Sequence, residues 1–292
     1  MEVGWGELIT LFAHAIAAAL VVGLVAPLLG ALLYLRRSSF EGIALPQVAA
    51  CGVAFGFVLL PWWVEHVGLG GLDPLTALQD THAAMNYHIT WASLFTFGAL
   101  GLLSLPRRRG TSDTARVAAL LAIASALTVL FVHASPIGES YVGDLLRGEI
   151  LTIDVHQLET VAVAYGLILL AFVVFRRELL AVNFDRESSI VLGKRVRVIE
   201  SGQTLLFGLG IAVGTMTVGP MILFGLLVLP PLAARPFARS MTSFWILSSA
   251  FGLFSVLGGI WVSFEIDEPW GPSVVAVSAL GLLPGAILRR RT

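Results

Sequence analysis

Cysteine is all but missing from this 292-residue chain: Cys51 stands alone, inside an apolar run. A single thiol excludes a disulfide framework, a CxxC pair and any cysteine-based metal site. Charge is scarce as well. Asp, Glu, Lys and Arg make up 13% of the residues, where a soluble domain carries about a quarter. The 18 basic side chains are offset by 19 acidic ones, which leaves no basic surface for nucleic acid. No GxxxxGK[ST] string occurs, the nearest approach being Gly193-Lys194-Arg195. The chain therefore hydrolyses no nucleotide through a P-loop of its own, and any ATP dependence comes from a partner. The N-terminus lacks the basic start of a signal peptide, and the apolar run that follows is long enough to span a bilayer, so it reads as a retained first span.

What is abundant is apolar: 57% of residues, with a mean hydropathy of +0.88. This is an integral membrane protein. At roughly 20 residues per span, nine spans leave only loops and ends, so residues 1–292 form a single transmembrane domain with no separate soluble part. Apolar runs fall at about 8–34, 42–63, 90–105, 116–134, 157–175, 201–218, 219–235, 243–263 and 272–288. The expected fold is an all-α polytopic bundle of about nine spans. Only Gly219-Pro220 punctuation separates the sixth from the seventh, so eight spans remain an alternative.

Positive charge sets the orientation, because Lys and Arg in short loops stay cytoplasmic. If the spans alternate from an external N-terminus, 17 of the 18 basic residues lie on one side, Arg147 being the exception. Trp5, Trp62, Trp63, Trp91, Trp261 and Trp270 then fall at outer span ends, as an interfacial aromatic belt requires. The N-terminus is expected outside and the C-terminus inside. Residues 61 to 89 read as a long outer loop holding His66, His82, His88, Asp73 and Asp80. Those are metal-ligand types in no recognisable spacing, better suited to a solvated loop or a face for an outer binding protein. Residues 176 to 200 read as a charged inner connection with room for a short surface helix.

Several strings are more specific than a generic lipid-facing helix. They are Arg36-Arg37-Ser38-Ser39 leading into a span that contains Pro46-Gln47, then Gly143-Asp144-Leu145-Leu146, then Ile190-Val191-Leu192-Gly193-Lys194-Arg195. Val218-Gly219-Pro220, Leu229-Pro230-Pro231-Leu232-Ala233-Ala234-Arg235 and Asp267-Glu268-Pro269-Trp270-Gly271-Pro272-Ser273 follow. In this order and spacing the chain resembles the membrane permease subunit of the zinc/manganese/iron ABC importers, from about residue 15 to 288.

That resemblance implies a multi-pass permease of a bacterial cytoplasmic membrane that pairs with a second permease copy, identical or not. It implies binding to a cytoplasmic ATP-binding subunit through Gly193 and Arg195, and to an extracytoplasmic solute-binding protein. The chain would hold no cofactor and would be no enzyme; its cargo would be a divalent metal ion. The family's second span typically carries an Asp and a His four residues apart, on one helix face. Here those positions are Ile43 and Gln47. Gln47 offers one carbonyl oxygen, a poor zinc ligand, and Asp267 is left as the main fixed charge along the path. Its structural alternative is a cap before the Pro269 turn, while Gln47 could equally be interhelical glue. His14, an ionisable group just inside the first span, is a further candidate.

Three other readings stay open. The chain could be the non-metal-binding half of a heterodimeric permease. A secondary transporter would show mid-membrane ionisable groups and repeat symmetry, and neither is seen. An intramembrane enzyme would need a nucleophile and base at depth, which the lone Cys51 does not supply.

Overall fold

A computed structural model describes residues 10–66, 81–105, 112–135, 143, 145, 146, 148 and 153–285. Nine helices occur among them: α1 (Ala13–Leu35), α2 (Glu41–His66), α3 (Thr81–Ser104), α4 (Asp113–Ala134), α5 (Val155–Phe184), α6 (Arg186–Val191), α7 (Val196–Ala234), α8 (Met241–Ile266) and α9 (Trp270–Leu280). Helix is the form in which a bilayer-spanning segment satisfies its own backbone. Hydroxyls inside the spans follow the same rule. Thr96, Thr128, Thr217, Ser248 and Ser255 each donate at 2.7 Å to the carbonyl four residues earlier, so none needs a partner from lipid.

The expected break at Gly219 is real and sharp. At 39 residues α7 would be about 58 Å long if straight, nearly twice the roughly 30 Å hydrocarbon core. Gly219 instead adopts φ 79°, ψ 159°, a region essentially reserved for glycine, and Pro220 opens the second limb where its missing N–H costs nothing. The two limbs fold back on each other. Gly210 on the first packs against Leu29 of α1, and Leu227 on the second lies with its backbone against Gly30, though a straight helix would hold residues 210 and 227 about 25 Å apart. With the two limbs of α7 counted separately and the six-residue α6 set aside, nine helical segments make up the described bundle, and six of the helices are long and apolar enough to cross a membrane.

One end collects Arg36, Glu41, Leu105, Arg116, Asn183 and Glu200 around a single cavity, so the α1–α2, α3–α4 and α5–α7 connections share it. At the other end Phe12 stacks on Phe264 at 6.0 Å, joining the start of α1 to the finish of α8, and Gly219 meets Leu145 and Gly148. Helices α1, α2 and α7 form the buried centre, whereas α4, α5 and α8 turn broad apolar faces outward. Close crossings need small residues, as membrane helices generally do. A Cβ on Gly252 of α8 would run into the Gly23 carbonyl and Pro27 of α1. A buried Tyr165 hydroxyl on α5 donates to the Gly210 carbonyl at 2.7 Å and ties α5 to the first limb of α7.

Two expected boundaries need correction. The fifth helix does not stop near residue 175 but continues to Phe184, because Arg176 to Ala181 are all good helix formers and Leu179 is buried at 2% exposure. The outer loop is shorter than 61–89, since α2 runs to His66 and α3 starts at Thr81. Asp73 and Asp80 lie outside the described residues, as do the side chain of His82 and Asp144, Arg147 and Glu149.

Candidate functional site

The charged connection after α5 folds into a compact knuckle. Asp185 caps α6, accepting the Ser188 N–H at 3.0 Å and the Ser188 hydroxyl at 2.5 Å. Those bonds hold the Asp185 carboxyl below its ordinary range. The helix closes on Gly193 in the left-handed region, φ 72°, with Lys194 N–H donating to the Ser189 carbonyl at 3.1 Å and Gly193 N–H to Ile190 at 3.0 Å. This paired closure is the glycine-dependent helix stop. Arg195 follows as the exposed N-cap residue of α7.

Two cross-links staple the base of the knuckle. The Arg186 guanidinium donates to both carboxylate oxygens of Glu200, at 2.7 and 3.4 Å, which raises the affinity of Arg186 for its proton. One turn further in, the Gln203 amide donates to Asn183 at 3.1 Å, and Asn183 donates to the Leu179 carbonyl at 2.6 Å. Gln203 is fully buried there. The tip between these staples is apolar and bare: Val191 is 87% and Leu192 74% exposed. An exposed apolar tip on a rigid polar base is a candidate contact surface. Sequence reasoning singled out Gly193 and Arg195 in this segment but not Asn183, Arg186, Glu200 and Gln203. The available signal was a pair of amides and a pair of opposite charges flanking the same segment at matched spacing.

The transport candidates sit elsewhere, and apart. Gln47 lies nearly two turns into α2 from the end that carries the knuckle. It and Ile43 are half-buried, while Ala44, Leu45, Pro46 and Val48 are buried. The two positions therefore share the open edge of an otherwise enclosed helix. Asp267 is at the opposite end, exposed, as the left-handed terminal residue of α8 (φ 58°, ψ 40°), its N–H bonded to the Ser263 carbonyl. Asp is among the few residues that accept this conformation, so the residue has a capping role whatever its charge does. The structure does not bring Gln47 and Asp267 together within one chain.

The described histidines do not gather either. His88 is inside α3, 2% exposed and stacked on Phe57 with ring centroids 4.1 Å apart, beside Tyr87, whose hydroxyl donates to the Gly56 carbonyl at 2.9 Å. His66 stacks on Trp62 at the end of α2, and His14 is exposed in the first turn of α1. Among the described residues no three His, Cys, Asp or Glu side chains stand close enough to hold a metal ion.

The described residues form a helical bundle with a stapled knuckle at one end, six of whose helices are long and apolar enough to cross a membrane. Its sequence matches the profile of the ABC 3 transport family over residues 9–289, and the chain belongs to that family, as a multi-pass protein of the bacterial cytoplasmic membrane. It is 26% identical to the manganese import system permease protein ScaB of Streptococcus pneumoniae, with 92% of this chain and 87% of that protein covered. It is 23% identical to the chelated iron transport system membrane protein YfeD of Yersinia pestis, over 91% of this chain and 82% of that one. It is 29% identical to the high-affinity zinc uptake system membrane protein ZnuB of Haemophilus influenzae, over half of this chain and 56% of the relative. PsaBC from Streptococcus pneumoniae, solved in complex with Fab, shares the fold with a TM-score of 0.78 over 96% of this chain and 94% of that one, at 22% identity.

Proposed function

We propose that this chain is the membrane half of an importer that carries a divalent metal ion inward, driven by ATP hydrolysis on a separate cytoplasmic subunit docked at the knuckle. The observation that carries the reading is the pair of staples beneath an exposed Ile190-Val191-Leu192 tip. An element held at both ends transmits a push to α5 and α7, whereas a floppy loop would absorb it. Gly193 shapes the tip and Arg195 adds charge beside it. The basic residues gathered at this end support a cytoplasmic placement, with the C-terminus on the same side and the N-terminus opposite.

Manganese, iron and zinc, named for the relatives, set the substrate class. Asp267 supplies fixed charge at the outer mouth, and Gln47 is a weak polar step deeper in, so the two act in succession along one path rather than as a chelate. A path along the open edge of α2 needs a second wall. A second permease subunit supplies it, and Ala118, Ala122 and Ala126, spaced four apart on the outward face of α4, allow such a close approach. An outer solute-binding protein delivers the ion.

The test is reconstitution with the cognate ATPase and binding protein. ATP-dependent uptake of manganese, iron or zinc is the expected outcome, and uptake of none of them sinks the proposal. Placement is checked with a cysteine at position 112 after Cys51 is replaced: labelling of intact cells by an impermeant reagent would reverse the orientation.

A further inference from the structure

Two helix stops at the charged end of the bundle are the same motif with different residues in its key position. In α6, Gly193 takes the left-handed conformation, φ 72°, while the Lys194 N–H reaches back to Ser189 and the Gly193 N–H to Ile190. In α1, Arg37 takes it, φ 58°, while the Ser38 N–H donates to the Leu33 carbonyl at 2.9 Å and the Arg37 N–H to Tyr34 at 3.1 Å. Glycine meets no steric penalty there, whereas arginine does. Among the described residues the other non-glycine with positive φ is Asp267, a type enriched in this region. The Arg36-Arg37-Ser38-Ser39 string therefore keeps an arginine where the backbone favours glycine. Nothing within the described chain rewards it. Arg36 has the Glu41 carboxylate beside it, but Arg37 is exposed, and its guanidinium makes no hydrogen bond or ion pair with a described residue.

Strain kept at an exposed position calls for a contact outside the chain. We propose that Arg37 is a second docking contact for the cytoplasmic ATP-binding subunit, its guanidinium pairing with a carboxylate of that subunit. The inference rests on the reading of the knuckle as the first contact. Position supports it. Arg36 and Ser38, on either side of Arg37, line the same cavity as Asn183, Arg186, Glu200 and Gln203 at the base of the knuckle, so a subunit seated on the tip faces the turn as well. Position also disfavours a lipid phosphate as the occupant. Helix α1 packs on α5, α7 and α8, and α2 on α3, α4 and α7, so the turn joining them is ringed by helices and opens at the end of the bundle, away from its lipid-facing sides. Chemistry selects the carboxylate, because the planar guanidinium fork matches it with two parallel bonds.

The test places the full-length chain in phosphatidylcholine nanodiscs and titrates it with the purified cognate ATP-binding subunit. Without that subunit Arg37→Gly should melt no lower than the wild type, and up to about 3 °C higher, as the strain is relieved. It should nevertheless bind the subunit about tenfold more weakly, the weight of one charge-assisted contact, and with a shallower dependence on salt. Leu192→Asp, at the knuckle tip, separates the two readings. If Leu192→Asp weakens binding and Arg37→Gly does not, the second contact is overturned while the knuckle stands; normal binding by both variants overturns both. A lower melting temperature in Arg37→Gly also overturns the proposal, since Arg37 would then serve the fold. So does an Arg37→Gly variant that keeps its affinity for the subunit but sheds phosphatidylglycerol in native mass spectrometry, which assigns the residue to the membrane instead.

Discussion

The two ends of this bundle are built from different interactions. The end carrying the knuckle is cross-linked by polar groups: Arg186 with Glu200, Asn183 with Gln203, and Arg116, whose guanidinium donates to the Leu105 carbonyl at 3.2 Å and also to Leu102, closing the open C-terminus of α3. The opposite end has fewer such ties, among them the Tyr87 hydroxyl on the Gly56 carbonyl and the Ser263 hydroxyl on the Glu268 carbonyl, and relies more on rings and backbone approach: Phe12 on Phe264, and Gly219 against Leu145 and Gly148. Directional bonds fix a geometry that a partner must read, while ring and backbone packing can slide by small amounts as a passage opens. The difference is what the proposed function asks for: force transmission at the first end and ion entry at the second.

The harshest way to break the contrast is at the turn that joins the two limbs of α7. Gly219→Val places a branched side chain in a glycine-only backbone region and against the Leu145 carbonyl. It should cost about 3 kcal/mol, and folded protein should be lost from the membrane, read by thermal melting of detergent extracts. A variant that melts like the wild type would mean that the fold-back is not needed.

Next in size is Gly193, where the surrounding space is open and only the left-handed conformation is at stake. Gly193→Val should cost about 1–2 kcal/mol and lower ATP-driven uptake about tenfold, while Gly193→Asn, which tolerates this conformation, should transport normally. Equal loss in both variants would point to a direct contact rather than a backbone requirement.

Asp267 separates charge from cap. Asp267→Asn and Asp267→Gly both keep the left-handed turn and remove the carboxylate, so each should lower uptake several-fold without lowering stability. Asp267→Ala should also destabilise the end of α8, by about 1 kcal/mol. Normal uptake in the Asn and Gly variants would reduce Asp267 to a cap.

The spans were legible in the sequence because bilayer thickness imposes one length scale on apolar runs, and the Gly219-Pro220 break was legible because both residues carry backbone restrictions. Helix ends were less so. Arg176-Arg177-Glu178 reads as a stop on charge, yet helix formation does not end where hydrocarbon ends, and α5 continues through it. His88 reads as part of the outer loop, a solvated stretch or a face for a binding protein, because it falls in a run without Lys or Arg, whereas the aromatic residues around it bury it in α3. The staples were signalled only by amides and opposite charges flanking the segment, which do not by themselves fix a pairing. Asn183 and Gln203 are twenty residues apart, and only the turn at α6 and Gly193 brings them within 3.1 Å.

The gentlest probe of the knuckle is its own titration. Asp185 is exposed, and its carboxyl is held below the ordinary carboxylate range first by the Ser188 hydroxyl, then by the Ser188 and Glu187 backbone N–H groups. A group whose folded value is depressed stabilises the fold above its unfolded value, near 3.9, and that contribution disappears as pH falls through the lower folded value. At neutral pH the cap is fully made; in acid it should loosen. Asn is an equally good cap and does not titrate, so Asp185→Asn keeps the helix start and removes the pH dependence. Every other contact of the knuckle is common to the two proteins, so the difference between them isolates Asp185. Amide exchange from Ser188 to Leu192 should therefore speed up in the wild type as pH drops below the usual carboxylate range, and should change less in Asp185→Asn. Parallel curves would show that the staples alone hold the docking helix in place, and that its N-terminal cap adds nothing the partner could feel.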